Sequence, residues 1–186
     1  MKRGLLLIVS LLAVASVAFA QPGSIGVFAD QTGTSCDITD AAPGLVNVYL
    51  VHVNTPGATA CQFQVTWDAG QLMTFLSEAV TPPYIGIGTS QVGMAIAYGS
   101  CVPSPNKILT YSFFAAGIST PCAMFHVKPD GSTVPPKQHV LVTSCSNPPL
   151  LLNATGGEAV INTNGTCDCD VAVEETSWGQ IKSLYL

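Results

Sequence analysis

Gln62-Phe63-Gln64-Val65-Thr66-Trp67 decides the fold class of this chain. Successive side chains of an extended strand point to opposite faces, so Phe63, Val65 and Trp67 share one face and Gln62, Gln64 and Thr66 the other. A helix would scatter the same apolar residues around its axis. The segment therefore reads as a half-buried β-strand, and the rhythm continues on both sides of it. Leu45 to Val53, LVNVYLVHV, is β-branched or aromatic nearly throughout and reads as a central strand buried on both faces. Gln91 to Tyr98 sets Val92, Met94, Ile96 and Tyr98 against Gly93, Ala95 and Ala97, and that small face calls for a close neighbour. Lys107 to Phe114 puts Leu109, Tyr111 and Phe113 on one side. Tyr84–Ile87, Ala123–Val127, His139–Ser144 and Ala159–Asn162 are further strands, and Ser24–Phe28 is expected at a sheet edge. Turn residues such as Pro43-Gly44, Pro56-Gly57, Pro82-Pro83 and Pro148-Pro149 separate these runs. The pattern predicts an all-β chain, a single antiparallel β-sandwich of about eight or nine strands. Inside the body only Ala69 to Glu78 competes as a short helix.

The N-terminal stretch is of another kind. Met1-Lys2-Arg3 supplies positive charge, Gly4 to Ala15 is apolar, and Ala18-Phe19-Ala20 places small residues where a signal peptidase reads. The apolar run is shorter than the roughly 20 residues of a bilayer span. The expectation is a secretory signal peptide over residues 1–20, a β-sandwich domain over 21–170 and a C-terminal tail over 171–186, with a secreted or cell-surface destination. No later apolar run is long enough to span a membrane.

Cleavage after Ala20 removes Lys2 and Arg3. Only Lys107, Lys128, Lys137 and Lys182 then remain as basic side chains, and the formal charge becomes two units more negative than the −5 of the whole chain. Nucleic acid requires clustered Lys and Arg, so it is excluded as a partner, as is an anionic membrane surface. The scarcity of charge suits a packed domain rather than a disordered one.

Seven cysteines, Cys36, Cys61, Cys101, Cys122, Cys145, Cys167 and Cys169, are disulfide candidates in an exported chain. Seven is odd, so one thiol stays over, and the connectivity cannot be deduced from spacing. Cys36–Cys61 is the expected local bridge. Cys101, Cys122 and Cys145 would then share the rest with Cys167 and Cys169, which stand too close to pair with each other. A zinc site at Cys167-Asp168-Cys169-Asp170 would need a second cysteine pair that the sequence lacks.

Catalytic constellations do not emerge. His52, His126 and His139 each lie in or beside an apolar strand run, and a hydrolase would need one of them next to a nucleophile and an orienting acid. Gly88-Thr89-Ser90-Gln91-Val92-Gly93 has the wrong glycine spacing for a nucleophile elbow. Asp30, Asp37 and Asp40 are candidates for a calcium loop, without the spacing of an EF-hand; no other cofactor is implied. Asn153-Ala154-Thr155 and Asn164-Gly165-Thr166 are formal glycosylation sequons. For a carbohydrate platform, Trp67 lies on the apolar face of its strand, and Tyr84 is the best loop aromatic.

The tail, VAVEETSWGQIKSLYL, carries Ser177 and Gln180 at the spacing of a capping box, with Trp178, Ile181 and Leu184 or Tyr185 at helical spacing and Lys182 toward the C-terminal end. A short amphipathic helix is expected there, too short to be stable undocked. Val46 to Val53, Cys61-Gln62-Phe63, Tyr98-Gly99-Ser100-Cys101 and Trp178-Gly179-Gln180-Ile181-Lys182-Ser183-Leu184-Tyr185 together resemble a family of secreted β-sandwich proteins of environmental bacteria that share a WGxIKxLY-type tail. In strand rhythm the body also resembles, loosely, the cohesin and carbohydrate-binding-module class. The resemblance implies no activity. It implies a secreted or surface-associated, non-enzymatic binding or structural module with a protein or cell-surface partner. Trp178, Ile181, Lys182, Leu184 and Tyr185 would be read as a sorting or attachment signal. A carbohydrate- or calcium-dependent ligand-binding domain is the alternative, and a hydrolase the third reading.

Overall fold

The computed structural model describes residues 22–169, so the expected signal peptide over 1–20 and the expected short helix over 171–186 lie outside the described residues. Within them the chain is all β, with twelve strands and no helix. The first sheet is built from β1 (Ser24–Phe28), β3 (Gly44–Val53), β5 (Met73–Val80) and β8 (Asn106–Ala115) in the order β1-β3-β8-β5, every pair antiparallel. The second sheet centres on β4 (Ala58–Trp67). On one side of β4 lies β7 (Gly93–Val102), which pairs in turn with β6 (Ile85–Thr89). On its other side lie β10 (Val140–Ser144) and β9 (Ala123–Lys128).

Register shows that β9 and β10 form one interrupted line. Both run antiparallel to β4, with Thr143 opposite Ala60, Leu141 opposite Gln62, Lys128 opposite Gln64 and Phe125 opposite Trp67. Residues 129–139 are an excursion from that line. The next strands repeat the arrangement: β11 (Leu151–Gly156) pairs with β10 and β12 (Glu158–Ile161) with β9. The two sheets join where β1 runs parallel to β11, and the two-residue β2 (Asp37–Ile38) runs parallel to β12. The sheet is thus mixed rather than purely antiparallel. At the junction Gly156 is sterically required and Gly157 is closely approached. A Cβ on Gly156 would stand 2.0 Å from the Val127 carbonyl oxygen, and one on Gly157 would stand 3.1 Å from Gly26 Cα.

The core lies between the sheets. Trp67 stacks on Phe75 with ring centres 5.9 Å apart and meets Phe113 and Phe125 edge-on at 5.5 and 5.9 Å. Its apolar placement follows from the alternation of β4, since Cys61, Phe63 and Val65 on the same face are also buried. Each such ring pair contributes about 0.5–1.5 kcal/mol beyond the area it buries.

Several expectations are corrected. Ser24–Phe28 is not an edge strand: it lies between β3 and β11 and all five residues are buried. Ala69 to Glu78 forms no helix. Most of it belongs to β5, which turns Met73 and Phe75 onto the core, and a bulge between Phe75 and Ser77 breaks the simple alternation that would have revealed a strand. Leu45 to Val53 is fully buried only from Leu50 onward; Leu45 and Asn47 face out, on a part of the sheet left exposed among the described residues.

Cys36 does not pair with Cys61. The bridges are Cys36–Cys169, Cys101–Cys145 and Cys122–Cys167. Cys61 is the free thiol, buried on the inner face of β4, and burial pushes its pKa up to about 12. Cys36–Cys169 spans 133 residues and restricts the unfolded chain by ~5 kcal/mol in the chain-entropy account; the two bridges of separation 44 and 45 contribute ~4 kcal/mol each. Three such bridges fit an oxidising, extracellular setting. No helix among the described residues is long and apolar enough to cross a membrane.

Candidate protein-docking face

The outward side of the second sheet can be followed strand by strand. Ile85 stands opposite Ala97, Ala97 opposite Ala60, Ala60 opposite Thr143, and Thr143 opposite Leu151. These residues face out because their neighbours Ile96, Cys61 and Val142 face the core. The result is a strip of small side chains across β7, β4 and β10, with Ile85 (68% exposed) and Ile87 (74%) along one margin and Leu151 (66%) along the other. The next row runs Ile87, Ala95, Gln62, Leu141 and Asn153. There Gln62 Nε2 donates to Asp130 Oδ2 at 2.6 Å, bringing the 129–139 excursion against the sheet, and Leu141 is buried. This row closes the open face at one end.

The Cys101–Cys145 bridge closes the other end. Cys101 is on β7 and Cys145 follows β10, so the bridge passes over the chain entering β4. It passes over Gly57, where a Cβ would lie 2.7 and 2.9 Å from the two sulfurs. Neither row contains a charged side chain. Four strand spacings separate Ile85 from Leu151, about 19 Å. A helix with side chains is about 10–12 Å across, so the strip accepts one lying along the strands between the two margins.

Each acidic candidate is taken up by donors of the chain itself. Asp30 accepts from Thr32, Thr34 and Ser35 within its own turn. Burial acts to raise its pKa, but the Thr32 hydroxyl and the Ser35, Thr34 and Thr32 N–H groups outweigh that and hold it well below the carboxylate range. Asp37 accepts from Thr163 N and Oγ1 at 3.3 and 2.7 Å. Asp40 is buried and takes the N–H and hydroxyl of Ser119 and the amide of Asn162. Tyr84 is half-buried: its hydroxyl donates to Asn106 Oδ1 at 2.8 Å and its ring packs on Tyr98 at 5.0 Å. Trp178, Ile181, Lys182, Leu184 and Tyr185 lie outside the described residues.

Nor do the histidines assemble a nucleophile. His52 is fully buried, with Nε2 2.8 Å from the Pro22 carbonyl and Nδ1 3.4 Å from the Tyr98 hydroxyl. A carbonyl can only accept, so Nε2 carries the proton and Tyr98 donates to Nδ1. Burial lowers the His52 pKa, against a smaller raising effect of the Pro22 bond. His126 lies on the outer face of β9 with Nδ1 2.8 Å from Glu158 and Nε2 3.4 Å from Asp68. Both ring nitrogens face carboxylates, so neither is left to take a proton from a hydroxyl. His139 is exposed in the excursion before β10.

The fold is a cohesin-like β-sandwich. It is similar to the cohesin module of a Clostridium perfringens family 33 glycoside hydrolase, with a TM-score of 0.51 at 8% identity, covering 76% of this chain and 98% of that one. A type I cohesin from Pseudobacteroides cellulosolvens gives a TM-score of 0.45 at 11% identity over 78% of this chain and 95% of its own. A Clostridium thermocellum cohesin, solved with a dockerin, gives 0.46 at 11% over 74% and 97%. No protein-family model matches the chain, and no curated protein matches it.

Proposed function

We propose that this is an exported, non-enzymatic protein-binding module that docks a partner on the outer face of β6, β7, β4, β10 and β11. The observation that carries the reading is the uncharged strip of Ala97, Ala60 and Thr143 between the margins of Ile85 and Ile87 and of Leu151. The complementary partner presents the apolar side of an amphipathic helix, its large side chains seated over the alanines and its flanks against the isoleucines and Leu151. With no charge in the strip, affinity depends little on ionic strength. The residues at 171–186 add a sorting or attachment segment to this module, and the segment at 1–20 directs its export. Among the described residues the carbohydrate and calcium readings have less support, because the Tyr84 ring is packed on Tyr98 and the oxygens of Asp30, Asp37 and Asp40 accept from the chain's own donors.

The test uses the mature protein and two arginine variants on opposite faces. Ala97→Arg puts a charge in the strip; Ser112→Arg puts one on the outer side of β8. A partner isolated on the wild type from the extracellular fraction is expected to bind stoichiometrically to wild type and to Ser112→Arg, and to lose at least about tenfold in affinity for Ala97→Arg, the loss expected when an unpaired charge is buried at an interface. Equal affinity for both variants would place the contact elsewhere.

A further inference from the structure

A second apolar patch lies on the first sheet, at the opposite end of the sandwich. Leu45 on β3 stands opposite Phe114 on β8, and Leu72 and Ile118 flank the same sheet end. All four are exposed, at 64, 46, 53 and 62%. Beside them the backbone is held together, with Ala116 N–H donating to the Leu72 carbonyl at 3.1 Å. The docking strip lies elsewhere: it sits beside Ala60, whereas this patch lies at the Trp67 end of β4, about 23 Å further along that strand.

We propose that the occupant of this patch is the chain's own C-terminal segment, residues 171–186, with Trp178, Ile181 and Leu184 laid over Leu45 and Phe114. The first argument is where the described chain ends. Cys169 is bonded to Cys36. A short way on from Cys36, Asp40 takes the N–H and hydroxyl of Ser119 at 3.1 and 2.6 Å, and Ser119 adjoins Ile118. The segment is therefore rooted at Cys36, a few residues along the chain from Asp40, which holds Ser119 next to Ile118. The second argument is reach: residues 171–186 span up to about 50 Å extended and about 24 Å as a helix, and either covers the patch from that root. The third is complementarity, since the tail carries its apolar residues at helical spacing and is too short to be stable unsupported. A short tether raises the effective concentration to the order of millimolar, so a small apolar contact suffices. The inference does not depend on the docking strip, and it holds whether or not a sorting partner also reads the tail.

Limited proteolysis of the mature protein with a Glu-specific protease, followed by mass spectrometry of cleavage after Glu174 and Glu175, tests this. Two variants are compared with wild type: Leu45→Ser/Phe114→Ser on the patch and Trp178→Ala on the tail. Leu45 and Phe114 are exposed, and thermal melts check that the domain stays folded in both variants. Cleavage about tenfold or more faster in both variants is expected, because it follows the population of the undocked tail. Equal rates in wild type and variants would overturn the proposal. So would light scattering that shows a wild-type dimer made monomeric by Leu45→Ser/Phe114→Ser with cleavage unchanged, since the occupant would then be a second copy.

Discussion

His52 is a fully buried side chain that couples folding to pH. Its imidazole must stay neutral in the core, so its folded pKa lies below the unfolded value of 6.5. The unfolded chain then binds the extra proton, and stability rises with pH until 6.5. The contribution is complete above pH 6.5 and is lost as the pH falls below it. Denaturant melts from pH 7.5 down to 5 are expected to show this slope in wild type and a flatter one in His52→Gln; parallel curves would assign the slope to other groups. Cys61 makes a second prediction at this scale. Its buried thiol, with a pKa pushed to about 12, is protected in two ways, by lack of access and by lack of thiolate. Iodoacetamide is expected to label no cysteine in the native protein and one per molecule, Cys61, in denaturant without reductant. Native labelling would contradict the burial. The sequence showed that one cysteine must be odd, but not which one. The alternation of β4 turns Cys61 into the core, and the other six cysteines pair among themselves.

At the scale of elements, the glycines of the strand junction separate sharply. Gly156→Val forces a side chain against the Val127 carbonyl, which cannot retreat without breaking the β9 line, whereas Gly44→Ala meets nothing within 4 Å. Thermal or urea unfolding is expected to show a loss of about 3 kcal/mol or more for Gly156→Val and a change within about 0.5 kcal/mol for Gly44→Ala. Comparable losses would mean that the junction relaxes. Strands with clean alternation, such as β4 and β8, were legible in the sequence. β5 was not, because its bulge shifts the alternation, and β2 was not, because two residues carry no period. β11 turns only Leu152 and Ala154 toward the inside while exposing Leu151 and Asn153, too short an apolar face to stand out. The candidate docking face was legible only as a small-residue face on Gln91 to Tyr98. Its margins, Ile85, Ile87 and Leu151, come from strands far apart in sequence, and no local pattern brings them together.

For the whole molecule, the predictions concern covalent state. N-terminal sequencing of the exported protein is expected to begin at Gln21. Non-reducing peptide mapping is expected to recover Cys36 with Cys169, Cys101 with Cys145 and Cys122 with Cys167. Removing the longest link by Cys36→Ala/Cys169→Ala is expected to cost up to about 5 kcal/mol and to release the root of the tail, so that cleavage at Glu174 rises as well. A stability loss without faster cleavage would separate the bridge from tail docking.

By itself the sequence determined the class of structure. Period-two alternation, frequent turn residues, scarce charge and abundant cysteine lead to a bridged β-sandwich built for an oxidising setting, because each of these is a local or compositional property. Tertiary structure decided which cysteines meet, that Ser24–Phe28 is central rather than an edge, that β1 and β11 run parallel, and which outward faces stay open. Those are facts about pairing between distant strands. A strand's own residues specify which side is buried, but its neighbour is chosen by the packing of all the sheets at once.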